Sequence, residues 1–488
     1  MAPANPPLQT RPQCRVGSVP RVSGLTGIRS TTIGPWCVWR GLSITLTALS
    51  LFSAPELTGQ VSPHPLLVAS PVSRSALAFH SISEVRALLN GDVFVLDALD
   101  ARVTLLDSGL DVVRVVASVN PAEPAANLAA VAGMLPWAGD TTVLVSADGP
   151  RLMLVDADGR IGRSVRTPSS VPPLCLVGNR SRAVPSRRAA TVVCMAPPET
   201  SRRDSVAHLG VNVPLHNIAD SVALVRVDLS SGGLDVVAHL RSPKTRDEFV
   251  ANERCDYFIT PLINPVPIVD DWAVTDSGSV VVVRSNGTLE WFDAREGTLS
   301  STHPEFAARS VSTQSRDYYA KSFRRVLADA RRAAKRPPAE DGSTRAAATC
   351  TLRPKSINMV RIDLAEDPVR LAAIVSPIEL PLAFLPVSEL PDSVPGFESG
   401  DMRIDHSGLV WIRLHTATDS TSVYEVLDKG GRLVSRVAVG MGRRVVGFGS
   451  GDLVYLAERG LDGVHLEEAN VPLREVQPRG VRTRNPLI

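Results

Sequence analysis

The sequence predicts an all-β fold, a six-bladed β-propeller with one helical insertion, on three observations. A short strand-turn-strand unit recurs along the chain, its apolar runs do not alternate with polar residues, and one stretch alone carries helical spacing. The unit is clearest at 90–116, "NGDVFVLDALDARVTLLDSGLDVVRVV". Apolar runs Val93–Leu96, Val103–Leu106 and Val112–Val116 follow one another there, separated by turns containing Asp or Gly.

Copies recur as "TTVLVSADGPRLMLVDADGRIGRSV" from Thr141, "DSVALVRVDLSSGGLDVVAHL" from Asp220, "GSVVVVRSNGTLEWFDAREGTLS" from Gly278 and "SGLVWIRLHTATDSTSVYEVLDKGGRLVSRVAV" from Ser407, with a divergent last copy from Gly451. An Asp closes one run in each clear copy: Asp107, Asp156, Asp228, Asp293 and Asp428, with a further match at Asp363. A carboxylate at a strand end accepts hydrogen bonds from backbone N–H groups a few residues on, and Gly supplies the positive φ of a tight turn. These aspartates are therefore read as turn formers, which leaves only Asp97 and Asp100 of the opening stretch as loop-site candidates.

"VVVV" (Val280–Val283) and "VFVL" (Val93–Leu96) are apolar at both alternating positions, so their strands need cover on both faces. Short antiparallel strands gain that cover when sheets stack around an axis as blades, and closing the ring removes the open ends of the stack. The copies divide as 76–119, 124–168, 171–244, 263–306, 380–440 and 442–475. Residues 359–371, "MVRIDLAEDPVRL", supplement a blade or form a seventh; seven blades is the alternative.

The form G-D-V-F-V-L-D-x-x-D-x-R-V-x-L-L-D-x-x-L at 91–110 resembles the repeat of NHL-type six-bladed propellers, in bacteria an exported group, and the resemblance extends over 76–475. It implies the propeller fold and leaves the activity open, since such propellers serve as binding modules, lactonases, lyases and extracellular sensors.

The pattern breaks at 312–336, "STQSRDYYAKSFRRVLADARRAAKR", where Tyr319, Phe323, Val326, Leu327 and Ala330 fall at helical spacing, Ser312 or Ser315 can cap the start, and Pro337–Pro338 stop the helix. The insertion with its flexible return covers 307–349. Its apolar stripe can cap one face of the propeller, or its basic side, with Arg316, Lys321, Arg324, Arg325, Arg331 and Arg332, can dock an anionic ligand, a lipid headgroup or a partner.

Residues 1–60 read as a leader, removed or disordered, ahead of the propeller domain 61–488. "GLSITLTALSLFSA" (41–54) follows Arg40, is apolar and uncharged, and is short for a bilayer span, as in a cleaved signal peptide. The formal charge is +2, but the leader holds five arginines and one acid; without it 47 basic and 49 acidic residues remain, so a nucleic-acid partner has no electrostatic basis. Periplasmic or secreted location follows, with no integral span in the mature chain and a monomer expected. Past the leader four cysteines remain, Cys175, Cys194, Cys255 and Cys350. Cys175 and Cys194 lie on two apolar runs that could pair as a hairpin and form a disulfide, or remain buried thiols; Cys255–Cys350 is the other pairing.

Motifs of chemistry are sparse. "DADG" (156–159) lacks the further ligands of a calcium loop, "GFGSGD" (447–452) has no Lys and no following helix, and neither HExxH nor G-x-S-x-G occurs. His208 and His216, in an apolar, Pro-containing loop, are the one local histidine pair. The function expected is a non-enzymatic extracytoplasmic binding or scaffold propeller that presents interblade loops to a protein, peptide or glycan, with no cofactor. The alternative is a metal-dependent, lactonase-like hydrolase or lyase with a central-channel site, for which the resemblance implies acids and amides meeting on a divalent metal. Glu253, Asn264, Asp271, Asp276, Asp401 and Asp405 are its candidates, and spacing does not choose among them.

Overall fold

The computed structural model describes residues 65–473, apart from short stretches and the longer ones 167–181, 325–352 and 355–383. The chain divides into two units, Met1–Val61 and Ser62–Ile488. The first lies outside the described residues, as do 359–371 and Cys175, Cys255 and Cys350.

Four-stranded antiparallel sheets follow one another along the second unit, and in the first five the four strands lie in sequence order. Sheet 1 comprises Glu84–Ala87, Val93–Asp97, Arg102–Leu106 and Val112–Ser118, with Ala126–Asn127 beside its last strand. Sheet 2 comprises Val131–Pro136, Thr142–Ser146, Arg151–Val155 and Ile161–Arg166. Sheet 3 comprises Arg182–Pro185, Ala190–Met195, Ser221–Asp228 and Leu234–Arg241. Sheet 4 comprises Asp271–Val274, Val280–Val283, Leu289–Phe292 and Leu299–Thr302. Sheet 5 comprises Arg403–Ile404, Val410–Leu414, Ser422–Leu427 and Leu433–Val439. Sheet 6 takes Arg443–Phe448, Leu453–Arg459 and Val464–Asn470 from the end of the chain. Its outer strand is Ser73–Arg74, antiparallel to the third.

That last strand lies outside 442–475, the bounds expected for the last copy. An N-terminal clasp completes the sheet, and just before it Leu66–Leu67 pairs parallel to the outer strand of sheet 5. Three strands alone would leave the edge of Val464–Asn470 unpaired.

The core shows why the runs are apolar throughout. Side chains alternate across a strand, so successive residues enter different interfaces. Val280 and Val282 pack with Val193, Leu224 and Leu240 of sheet 3, whereas Val281 and Val283 pack with Val410, Ile412 and Leu427 of sheet 5. Likewise Phe94 and Leu96 face Met134 and Leu144 of sheet 2, and Val93 and Val95 face Tyr455 and Leu466 of sheet 6. Sheets 2 and 3 share Leu135, Val143, Val192 and Val227, and sheets 5 and 6 share Trp411, Tyr424, Val445 and Leu456. Each sheet is thus covered by its two neighbours and the last packs on the first, which makes the fold a β-propeller.

The turn column holds in every copy where its surroundings are described. Asp107 Oδ1 accepts from the N–H groups of Gly109 and Asp111 at 2.9 Å, Asp156 Oδ1 from Arg160 at 2.8 Å, and Asp428 Oδ1 from Gly430 at 2.8 Å and Arg432 at 2.9 Å. Two turn glycines also meet the preceding sheet. A Cβ on Gly159 (φ 74°) would lie 2.9 Å from Val116 Cγ2, and one on Gly431 (φ 74°) would strike the Thr302 side chain.

The two ends of the strands differ. At one, which we call the lower end, first-to-second and third-to-fourth strands are joined by tight turns such as 107–111, 275–279 and 428–432. At the upper end, second strands pass to third strands and each sheet passes to the next. The long connections all leave there. Between the second and third strands of sheet 3 runs a hairpin, Thr200–His208 and Val211–Ile218, which corrects the reading of "HLGVNVPLH" as a loop. Thr245–Ala251 and Asp256–Pro261, from the connection to sheet 4, extend it, and Arg353–Pro354 completes a five-stranded side sheet. The connection from sheet 4 to sheet 5, 303–402, holds the helical insertion. Its described positions between Thr313 and Arg324 are helical; 325–336 lies outside the described residues. Ala320 is buried with Leu262, Val266, Leu385 and Leu390 in a small core of its own. Among the described residues no helix is long and apolar enough to cross a membrane.

Candidate functional site

First strands run beside one another around the channel and begin at the upper end, so residues at their starts surround its mouth. Among the described residues neighbouring first strands share no ladder hydrogen bonds, and charged side chains bridge several of them instead. Arg444 Nη2 donates to the Ile82 carbonyl at 2.8 Å, from sheet 6 to the approach of sheet 1. Glu84 Oε2 accepts from the Met134 N–H at 3.0 Å, from sheet 1 to sheet 2. Asp271 Oδ2 accepts from the N–H groups of Gly400 at 2.7 Å and Met402 at 3.1 Å, from sheet 4 to the approach of sheet 5. Asp271 therefore lies on a channel-lining strand rather than in a loop, and its carboxylate ties two sheets together.

Beside it stands a cluster of arginines. Arg413 Nη1 is 2.7 Å from Asp401 Oδ2 and 2.9 Å from Glu398 Oε2. Arg403 Nη1 donates to the carbonyls of Gly400 and Met402, both at 3.1 Å, on either side of buried Asp401. Burial alone would raise the pKa of Asp401, but Arg413, then Arg444 and Arg403, outweigh it and hold the carboxyl below its ordinary range. Burial also opposes the charge on Arg413, which Asp401 and Glu398 keep protonated. His415 is pushed down to about 4 by burial and by Arg309 and Arg413, although Glu398 Oε1 lies 3.7 Å away. Tyr424 closes the cluster from below: its hydroxyl accepts from the Val445 N–H at 2.9 Å, and burial raises its pKa.

Asp97 and Asp100 are brought together with a residue the sequence did not suggest. His80 Nδ1 is 2.8 Å from Asp100 Oδ2, and ligand-type atoms of His80, Asp97 and Asp100 all lie within 4.8 Å of one another. The hydrogen bond and charge of Asp100 raise His80; burial, then the Asp100 charge, raises Asp97. The group offers three donors of a kind that bind divalent cations. Asp97 is already engaged, though: Oδ2 accepts from the His80 N–H at 2.7 Å, and Oδ1 from the Ser81 N–H at 3.1 Å, Ser81 Oγ at 3.0 Å and the Asp100 N–H at 3.3 Å. Its first task is to fold the loop. His80 lies seventeen residues earlier, in the clasp, where no spacing rule would reach it.

The remaining sequence candidates are dispersed. Asn264 Oδ1 caps its own loop at the Val266 N–H, 2.9 Å away. Asp276 and Asp405 sit in lower-end turns, the former 3.2 Å from His406 Nδ1, the latter accepting from Trp411 Nε1 at 3.0 Å. Glu253 lies outside the described residues. Strand register pairs His208 with Val211 at the hairpin tip and His216 with Arg202, so the two are not brought together; His216 Nδ1 is 3.2 Å from Asp247 Oδ2. On the helix, Arg316 is turned inward, donating to the Leu390 carbonyl at 3.0 Å and pairing with Asp392 at 2.9 Å. Exposed Lys321 pairs with Asp317, and Arg324 lies over the Phe384 ring, 5.0 Å from its centre. Arg325, Arg331 and Arg332 lie outside the described residues. Cys194, on the second strand of sheet 3, is disulfide-bonded, to a cysteine outside the described residues.

No protein-family model and no curated relative matches the chain. Solved structures similar to it include a member of the DUF4221 family from Bacteroides vulgatus, at 7% identity and a TM-score of 0.39 over 83% of this chain and 96% of that one. The β-propeller domain of Swd1 from Myceliophthora thermophila matches at 12% identity and a TM-score of 0.33, over 82% and 99%. BamB from Moraxella catarrhalis matches at 10% identity and a TM-score of 0.29, over 79% and 84%. These likenesses do not bear on ligand or activity, and the propeller assignment rests on the packing of the sheets.

Proposed function

We propose that this chain is a six-bladed, extracytoplasmic binding propeller that presents its upper end to a protein, peptide or glycan. The observation that carries this reading is the asymmetry of the ends: the side sheet, the helical insertion and the loop around His80 all lie at one, and tight Asp/Gly turns occupy the described lower end. Elaborated loops on a rigid scaffold are where recognition concentrates. The blade count is supported by the shared clusters between successive sheets, the extracytoplasmic address by the apolar stretch 41–54 and the disulfide at Cys194, which suits an oxidising compartment. The NHL-type resemblance of 91–110 belongs to the same reading.

The test is a panel of lactones, glycans and peptides offered to the purified full chain. The reading expects saturable binding with the ligand recovered unchanged; turnover at enzyme-like rates, lost in chelator, overturns it. One observation favours the second reading, a metal-dependent lactonase-like enzyme: the three donors of His80, Asp97 and Asp100 at the upper end. Elemental analysis of the purified chain tests it, since a stoichiometric divalent metal lost on His80→Ala is its requirement.

A further inference from the structure

We infer that the mouth of the channel between sheets 5, 6 and 1 is an oxyanion-binding site, in which Arg403 and Arg444 receive a carboxylate or phosphate group. It deepens the reading above, on which it rests for the placing of recognition at the upper end.

Three guanidiniums act on one buried carboxylate, Asp401: Arg413 pairs with it, Arg403 bonds the carbonyls on either side of it, and the charge of Arg444 reaches it. They are not used alike. Arg413 is satisfied in charge, with Asp401 on one side and Glu398 on the other. Arg403 and Arg444 instead bond neutral groups: Arg403 the carbonyls of Gly400 and Met402, Arg444 the carbonyl of Ile82. Among the described residues neither makes an ion pair. Each spends one terminal nitrogen on these carbonyls, Nη1 in Arg403 and Nη2 in Arg444, so most of its five N–H donors remain unused. Both side chains are only half-buried, on first strands where the channel opens, so the unused donors are within reach of a ligand.

The backbone bonds fix where the forks stand. Arg403 is held by the two peptide units that flank Asp401, and those units are themselves pinned by Asp271 through the N–H groups of Gly400 and Met402. Arg444 is anchored across the junction at which the last sheet meets the first. Two cations prepared in this way, beside a third already neutralised, form a preorganised receptor for a planar or tetrahedral oxyanion, because guanidinium forks match the oxygens of carboxylate and phosphate. Asp401 competes for the same field, since its negative charge is felt by all three arginines. Its role is to hold Arg413 in place and to offset the positive field without a ligand, at the expense of affinity.

The experiment is isothermal titration of the full chain with inorganic phosphate and, separately, with malonate. We expect at least one to saturate with a Kd of about 1 mM or below. Saturation by phosphate alone assigns a phosphoryl ligand, by malonate alone a carboxylate ligand; either supports the site. Arg403→Gln and Arg444→Gln should each weaken binding about 10-fold or more. Asp401→Asn should strengthen it, a change that a purely structural role for these residues would not produce. Arg432→Gln, in a lower-end turn, should leave it unchanged. Arg444→Lys, which keeps the charge, and a melting curve for each variant report whether the fold survives; Arg403→Gln decides if Arg444→Gln does not fold. The inference is overturned if neither anion saturates, or if binding is indifferent to Arg403→Gln. In either case the partner-binding reading stands or falls on its own panel of ligands.

Discussion

Val282→Ala and Val283→Ala test the packing of the ring at its most sensitive point. The two residues are adjacent on the second strand of sheet 4, both with 0% exposure, and they enter opposite interfaces, Val282 toward sheet 3 and Val283 toward sheet 5. Each substitution removes two methyl-sized groups, about 1.6 kcal/mol of transfer free energy, and leaves a cavity that takes the loss to about 2 kcal/mol. In a sheet with one solvated face, one of any two neighbours would be nearly neutral. Here both should be destabilising by similar amounts. Thermal unfolding entropy grows with chain length, so for a domain of this size each should lower Tm by roughly 2–3 °C. Differential scanning calorimetry and urea midpoints measure it. A loss below about 0.5 kcal/mol for either variant would refute the two-sided burial of this strand.

Gly431→Ala places a Cβ into the Thr302 side chain at a positive φ and should cost at least about 1 kcal/mol, whereas Gly408→Ala, also at positive φ but with open space, should lose less; paired melting curves compare them. The folded chain holds His415 neutral, with its pKa near 4 against 6.5 for the free side chain, so the unfolded state binds more protons between those values and stability should fall as pH drops from about 6.5 toward about 4. With a third of its side chain exposed, the effect is moderated by solvent; a flatter Tm profile for His415→Gln in that window is the expected result. Asp401, depressed in the fold, acts in a separate window: its contribution is present above the ordinary value of 3.8 and is lost as pH falls through the lower folded value, so Asp401→Asn should flatten the profile only in strong acid. Reduction of the Cys194 disulfide should lower stability by about 2–4 kcal/mol, and Cys194→Ala should abolish the sensitivity of Tm to reductant.

Much of the scaffold was legible because its signals are local. Uninterrupted apolar runs such as "VVVV" announce two covered faces, and an Asp followed by Gly announces a turn, as Asp107 and Asp428 demonstrate. Features that depend on distant parts of the chain were not legible. The strand Ser73–Arg74 is two residues long and joins a sheet whose other strands begin at Arg443, so nothing in its own pattern marks it. His80 meets Asp97 and Asp100 only because that clasp leads straight into sheet 1. The acids near the channel looked alike in sequence; the structure distributes Asp271 to backbone amides, Asp401 to Arg413, and Asp276 and Asp405 to lower-end turns. Arg403 and Arg444 give no sequence signal, because an arginine at a strand start has no motif; among the described residues they differ from Arg413 in having no carboxylate partner.

The measurement that bears most directly on the binding role is site-specific photo-cross-linking of the full chain in its own cells. Probes at Met441 and Asp462 report on the upper end, where these side chains are 70% and 69% exposed. Probes at Leu89 and Arg432, 87% and 86% exposed, report on the lower end. Discrete adducts are expected from Met441 or Asp462 and none from Leu89 or Arg432; adducts formed only from the lower-end positions, or equally from both ends, would overturn a binding role for the upper end.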